Sequence, residues 1–121
     1  MNAETGTFVW FDFATKDESK TMNFYKTIFG WKFEKMGEAF WMIKAGEKTI
    51  GGLRKETARD FRPAAGMMAY FGVPSITEAK SLVKQAGGVL VGDSVNIGEH
   101  GFFQLFQDQE ANQMALWSFK P

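Results

Sequence analysis

Phe8–Trp31 reads FVWFDFATKDESKTMNFYKTIFGW, and this stretch decides the fold. Phe8 to Ala14 is apolar and aromatic with one acid, Asp12, inside it. A polar break follows at Thr15-Lys16-Asp17-Glu18-Ser19. Thr21, Phe24, Tyr25 and Ile28 are then spaced as one face of a helix. Gly30 stands where a helix stops on a residue that tolerates positive φ. The stretch therefore predicts a strand over Thr7–Ala14 and a helix ending near Phe29. The helix cap is either Thr15, with Glu18 three residues on, or Asp17 through its own carboxylate.

Outward from this unit the period changes to two. Trp31–Met36 alternates apolar and charged, Gly37-Glu38 marks a hairpin turn, and Phe40–Ala45 predicts a third strand. Thr49–Leu53 predicts a short fourth strand whose paired glycines, Gly51 and Gly52, point to a bulge or a close backbone approach. Residues 55–66 are polar, hold a proline and read as a linker. Met67–Val73 is a fifth strand. Ser75 and Glu78 form a capping box ahead of a stripe at Ile76, Ala79, Leu82, Val83 and Ala86. Gly87-Gly88 ends that helix. Val89–Val91 is strand, Asp93–Gly101 a longer connection, Phe102–Phe106 strand, Asp108–Asn112 a turn and Gln113–Phe119 the last strand.

Sliding the sequence by 58 places Phe13 on Phe71, Asp17 on Ser75, Phe24 on Leu82, Tyr25 on Val83, Ile28 on Ala86 and Gly30 on Gly88. Strand, cap, helix stripe and glycine stop coincide without a gap, and three strands trail each copy. The expected fold is α+β: two βαβββ modules forming a curved mixed sheet with a cleft. The expected organisation is one domain, with module one at about 7–54, the linker at 55–66 and module two at about 67–119.

The chain has 121 residues, of which 45% are apolar, enough for one domain with a real core. Thirteen Phe, four Trp and two Tyr are many for this length, and aromatics line ligand cavities and interfaces as well as cores. Fourteen basic residues balance fourteen acidic ones, so no basic excess points to nucleic acid or to a membrane surface. The absence of Cys rules out disulfides and thiolate chemistry. The start, MNAETGTF, has neither the basic nor the apolar region of a signal peptide, and no apolar run approaches a membrane span of about 20 residues. A soluble cytoplasmic protein is the expectation.

The chain resembles the vicinal oxygen chelate superfamily of glyoxalase I, bleomycin-resistance proteins and extradiol dioxygenases. Within it, the closest likeness is to small glyoxalase-like proteins without an assigned activity. The residues that carry the likeness are Phe8–Asp17, Phe24-Tyr25, Ile28–Trp31, Ile50–Leu53, Tyr70–Val73, Ala86–Gly88 and the ending Asp108–Leu116. The family's enzymes hold a divalent metal through four side chains, two on first strands and two on last strands of the modules. Carried over by register, the resemblance puts those positions at Trp10, Gly52, Met68 and Ala115. Trp, Gly and Ala offer no ligating side chain, and a thioether suits such ions poorly. Shifts of two residues reach Asp12, Tyr70 and Gln113. The resemblance therefore implies the fold together with the loss of its usual metal. No cofactor is expected, and a homodimer is, as is common in the family.

Period two puts Trp10 with Asp12 and Met68 with Tyr70 on single strand faces, opposite Phe11 and Phe13. Trp117 shares a face with Ala115. The candidate ligand-binding residues are Trp10, Asp12, Met68, Tyr70, Gln113 and Trp117, an aromatic surface with one carboxylate. Asp12 is either a ligand anchor or general base, or is satisfied by a neighbour such as Arg54 or Tyr70, since a buried acid must be paired. His100, the one histidine, lies in a loop and is the other weak catalytic candidate. Whether these aromatics line a cavity or fill it stays open. Three functions follow: a metal-free binding protein for a small hydrophobic or aromatic molecule; a metal-dependent glyoxalase-type lyase, isomerase or dioxygenase using Asp12, Tyr70, Gln113 and His100; or a non-catalytic homodimeric interaction module.

Overall fold

The computed structural model describes residues 5–56 and 66–121. Its order is β1 (Phe8–Thr15), α1 (Glu18–Phe29), β2 (Lys32–Lys35), β3 (Phe40–Ala45), β4 (Lys48–Lys55), β5 (Met67–Gly72), α2 (Ile76–Gln85), β6 (Val89–Asn96), β7 (Phe102–Gln107) and β8 (Gln113–Ser118), with one turn of 3-10 helix at Gly98–His100 between β6 and β7. This is βαβββ written twice, the α+β arrangement the internal repeat predicts. Most of the expected linker, 57–65, lies outside the described residues. Among the described residues no helix is long and apolar enough to cross a membrane.

The chain divides into two compact units. The first is Trp10–Met67; the second is Met68–Pro121 together with the chain start up to Val9. The start joins the second unit through Gly6 N–H to Gly72 O at 2.8 Å, Gly72 N–H to Thr7 O at 2.9 Å, and the Phe8 ring set edge-on to Phe71. The repeat did not foretell that the start of β1, through Val9, would group with the other copy.

In the first unit β1 pairs in parallel with β4, and β4–β3–β2 continue antiparallel. Asp17 caps α1, accepting from Lys20 N–H at 3.1 Å, and Gly30 ends it at φ +70°. Thr15, the other cap candidate, bonds the Asp17 N–H and the Thr21 hydroxyl instead. Phe11, Phe13, Trp41, Ile43 and Leu53 form the core, with Met22, Tyr25 and Trp31 packed on it. The expected helix stripe needs correcting: Phe24 is 57% and Ile28 52% exposed. The helix carries apolar residues at 22, 24, 25, 28 and 29, enough for two overlapping stripes. Tyr25 is held at 5.3 Å by both Phe13 and Trp31, which fixes the helix rotation so that Met22 and Tyr25 face inward.

Of the two roles expected of the glycine pair of β4, the close backbone approach falls on Gly51, and the bulge lies beside it at Ile50. The β3–β4 register slips between Ile43 and Lys44, a bulge. A Cβ on Gly51 would sit 2.6 Å from the Phe11 backbone oxygen, and one on Gly52 would strike the tip of the Phe40 ring.

In the second unit the order is β5–β8–β7–β6, with β5 and β8 parallel and the rest antiparallel. Ser75 caps α2, accepting from Glu78 N–H at 3.3 Å. Ile76, Ala79 and Leu116 make its core. Leu82, placed on the core stripe by its spacing, is 62% exposed, while Ile76 and Ala79 are buried and Val83 packs against their cluster. The helix ends one residue earlier than the repeat predicts: Gly87 carries the positive φ, +91°, not Gly88. Gly88 is small for another reason, since its Cβ would lie 2.8 Å from Gln107 O.

Strand β6 runs five residues past Val91, through a segment whose polar residues read as a loop. Between Val91 and Val95 it carries two more residues than β7 does opposite, so carbonyls fall out of the ladder. Gln104, fully buried, collects them: its Nε2 donates to Val91 O at 3.2 Å, Gly92 O at 3.1 Å and Leu105 O at 2.9 Å. Its Oε1 accepts from Ser94, which in turn accepts from Lys80 of α2. The expected turn Asp108–Asn112 is tied by the Asp108 carboxylate, which accepts from the backbone N–H of Glu110 and Asn112 and from the Asn112 amide, each at 2.9 Å.

Two outcomes follow. Gly51→Ala meets immovable backbone and should lose about 2–3 kcal/mol in urea denaturation, whereas Gly52→Ala meets a ring that can swing and should stay within about 1 kcal/mol of wild type. The hydrogen bonds from Asn112 and Glu110 hold Asp108 below the ordinary 3.8, with the Asn112 side chain the largest cause. A depressed folded pKa means the unfolded chain binds the proton first. The stabilisation is then complete above 3.8 and drains away as pH falls below it. Thermal melts from about pH 5 to about pH 2 should show a shallower acid loss in Asp108→Asn than in wild type.

Candidate functional site

The strand faces turned away from the helices carry the residues singled out by sequence. In the first unit Phe11 and Phe13 pack toward α1, so Trp10, Asp12 and Ala14 take the other face. Asp12 stands beside Gly52 in the β1–β4 register, and Ala14 beside Arg54. Asp12 is 0% and Arg54 1% exposed, and Arg54 Nε donates to Asp12 Oδ1 at 3.3 Å. Of the two fates open to Asp12, pairing with Arg54 is present. The pair is not optimal. Charge-assisted N–H···O contacts usually measure about 2.7–2.9 Å and are often bidentate. Here Arg54 Nε lies 3.3 Å from Asp12 Oδ1, and buried Arg54 Nη2 has no hydrogen-bond partner among the described residues. Phe40 stands across from Arg54 on β3, half-buried, its ring over Gly52.

In the second unit Tyr70 stands beside Ala115, as Asp12 stands beside Gly52. Both units thus set a side chain with a polar tip next to a position that has almost none. Met68, Tyr70 and Ala115 are buried, and Tyr70 meets Phe103 edge-on at 5.6 Å. Gln113 accepts from Gln107 Nε2 at 3.3 Å. Trp117 is half-buried, packs against Phe119 and donates its indole N–H to His100 O at 2.8 Å. The imidazole of His100 is exposed, 3.8 Å from Glu99. Trp117 therefore anchors the backbone of the turn that carries His100.

A cavity lies on the opposite side of this unit, beside the C-terminal half of α2. It measures about 290 Å³ and is lined by Ala79, Leu82, Val83, Ala86, Phe106 and Leu116, with the Gln107–Gln109 segment alongside. Sequence reasoning did not find it, because Leu82 and Ala86 sit on an ordinary core stripe. It also missed Gln104, whose place in the apolar run FFQLF is the one signal of a buried polar role.

No family model matches the sequence, and no curated protein matches it either. Solved structures do. An extradiol ring-cleaving dioxygenase from B. fuscum aligns at 15% identity and TM-score 0.71, over 99% of this chain and 34% of its own. The Mn(II)-bound glyoxalase from Novosphingobium aromaticivorans aligns at 15% and 0.67, over 95% and 39%. Methylmalonyl-CoA epimerase from Mycobacterium tuberculosis aligns at 12% and 0.69, over 100% and 94%. The chain has the vicinal oxygen chelate fold. It spans about a third of the dioxygenase and nearly all of the epimerase.

The metal implied by the resemblance to the vicinal oxygen chelate enzymes is tested by the donors present. The first unit offers Trp10 and Gly52 and the second Met68 and Ala115, so neither supplies a hard or borderline ligand. Asp12, two residues along β1, already accepts from the Arg54 guanidinium. Among the described residues no group of three or more His, Cys, Asp or Glu is gathered for an ion. The residues do not fit a metal centre of that type.

Removing one partner of a buried ion pair leaves the other charge uncompensated. Asp12→Ala should therefore cost about 3–5 kcal/mol, while the double variant Asp12→Leu/Arg54→Met should recover most of it. Denaturant titration of the two variants beside wild type checks this.

Proposed function

We propose that this chain is a cytoplasmic, metal-independent binding protein for small hydrophobic or aromatic molecules. The observation that carries the reading is the substitution of donors: the fold is kept in full, and the positions that the resemblance assigns to metal ligands hold Trp10, Gly52, Met68 and Ala115. The faces bearing them are aromatic, with Trp10, Phe40, Tyr70, Phe103 and Trp117 among their residues, and stacking surface of this kind suits a planar apolar ligand. The glyoxalase, dioxygenase and epimerase neighbours share the fold at identities that transfer no activity.

A second reading has its own support. The outer side of α1 exposes Phe24, Ile28 and Phe29, more apolar surface than a lone helix face usually presents. That favours pairing of two copies, and a homodimer is compatible with ligand binding as well as with an interaction module.

The test is metal analysis of purified protein combined with thermal melts. No stoichiometric metal should co-purify, and Ni²⁺, Zn²⁺, Mn²⁺ or Fe²⁺ should leave Tm unchanged. A panel of uncharged aromatic compounds should contain members that raise it, since a ligand at 100 times its Kd adds about 2.7 kcal/mol, a shift of several degrees. A tightly held stoichiometric metal sinks the reading.

A further inference from the structure

We propose that the cavity beside α2 is a second binding site, and that it takes a straight aliphatic chain whose head group carries no negative charge. The site is separate from the aromatic faces of the reading above and does not rest on them. Every residue lining it belongs to the second unit. Its helical wall is Ala79, Leu82, Val83 and Ala86, spaced i, i+3, i+4 and i+7, the stripe that a helix turns to a core. Ala79 is buried with Leu116, and Val83 packs on their cluster. Leu82 is left largely exposed and lines the cavity instead. The room comes from small residues. Ala79, Ala86 and Gly88 fill little of the space between α2 and the strands. Gly88 cannot be larger, since its Cβ would lie 2.8 Å from Gln107 O.

Wall chemistry and volume set the ligand. The apolar lining is mostly aliphatic, with Val73, Leu82, Val83 and Leu116 beside a single ring, Phe106. One ring gives a planar ligand little stacking area, whereas a flexible chain follows branched walls. An apolar cavity of about 150 Å³ accommodates benzene. At about 290 Å³ this one has room for a chain of roughly eight carbons. The polar part of the lining is one segment, Gln107-Asp108-Gln109, and Asp108 brings the charge. Its carboxylate accepts from the N–H groups of Glu110 and Asn112 and from the Asn112 amide, which favours its ionised form. The carbonyl end of α2, also at this cavity, adds partial negative charge. Lys84, in the last turn of α2, is exposed and does not line the cavity. A carboxylate head is therefore repelled, and a hydroxyl or an ammonium is not.

The experiment follows the full-length protein by amide NMR as 1-butanol, 1-hexanol, 1-octanol, octanoate and octylamine are titrated in. Affinity should rise about fourfold with each added CH₂ along the alcohols, the effect of burying one methylene. Shifts should gather at residues 79–88 and 106–109, away from β1 and β4. Octanoate should bind at least about threefold more weakly than 1-octanol at low ionic strength, with octylamine no weaker than the alcohol. Asp108→Asn should narrow the octanoate gap and leave 1-octanol unchanged. Ala86→Leu, which puts a larger side chain into the cavity from an exposed helix end, should weaken 1-octanol at least about tenfold. Leu82→Gln, at another exposed position, should weaken it about fivefold by removing apolar wall. Binding of none of these compounds overturns the site. So do shifts confined to the aromatic face, affinity that ignores chain length, octanoate as tight as 1-octanol, or full affinity in both cavity variants. The aromatic-face reading is untouched by any of these results, because it stands or falls with the aromatic panel and the metal analysis.

Discussion

A carboxylate at 0% exposure has to be matched in charge, and the helix-free face of the first unit is arranged around meeting that demand. Asp12 arrives on β1 because the alternation that buries Phe11 and Phe13 under α1 turns it to the other side. Arg54 arrives on β4 because the parallel register sets it two residues beyond Gly52, Asp12's neighbour. Gly52, without a side chain, leaves the room that the Phe40 ring occupies. The ion pair, the glycine and the aromatic ring are thus one packing solution. Alter the register by one residue and Asp12 would lie against the aromatic core with no guanidinium in reach.

The second unit meets a comparable demand on the opposite face of its strands. Its buried polar group, Gln104, stands opposite Leu116 and so on the side of α2. It serves the bulge in β6 rather than another charge. An amide can do this because it offers both donors and an acceptor and carries no charge to compensate. Duplication therefore preserved the order of elements while each copy acquired its own internal polar fixture. The glycine stops diverged in the same manner. Gly30 and Gly87 each supply the left-handed residue, and Gly88, the formal counterpart of Gly30, is small because a strand backbone passes close by.

Much of this was legible in the residues. Period two in WKFEKM, the Ser75–Glu78 cap and the repeat offset fix element order with little competition from tertiary forces. Two features were not. Helix faces in an aromatic-rich segment are ambiguous when five apolar residues fall at 22, 24, 25, 28 and 29, because only the ring contacts of Tyr25 choose between them. The continuation of β6 through Gly92-Asp93-Ser94 was hidden too, since its carbonyls are satisfied by a side chain more than ten positions away. At the candidate site the pairing of Asp12 with Arg54 was foreseeable as one of two fates. The orphaned Nη2 was not, because a pattern of residue types does not say which nitrogen of a guanidinium is used.

The orphan also explains why loss of metal-ligand types need not leave the face inert. A metal ion is an electrophile that orients an oxygen ligand through a strong positive field. Trp10 and Gly52, at positions that the resemblance assigns to metal ligands, have no donor to hold such an ion. Arg54 contributes a buried donor to that face, Nη2, with no hydrogen-bond partner among the described residues. A guanidinium donor provides hydrogen-bond direction but far less polarisation than a divalent ion.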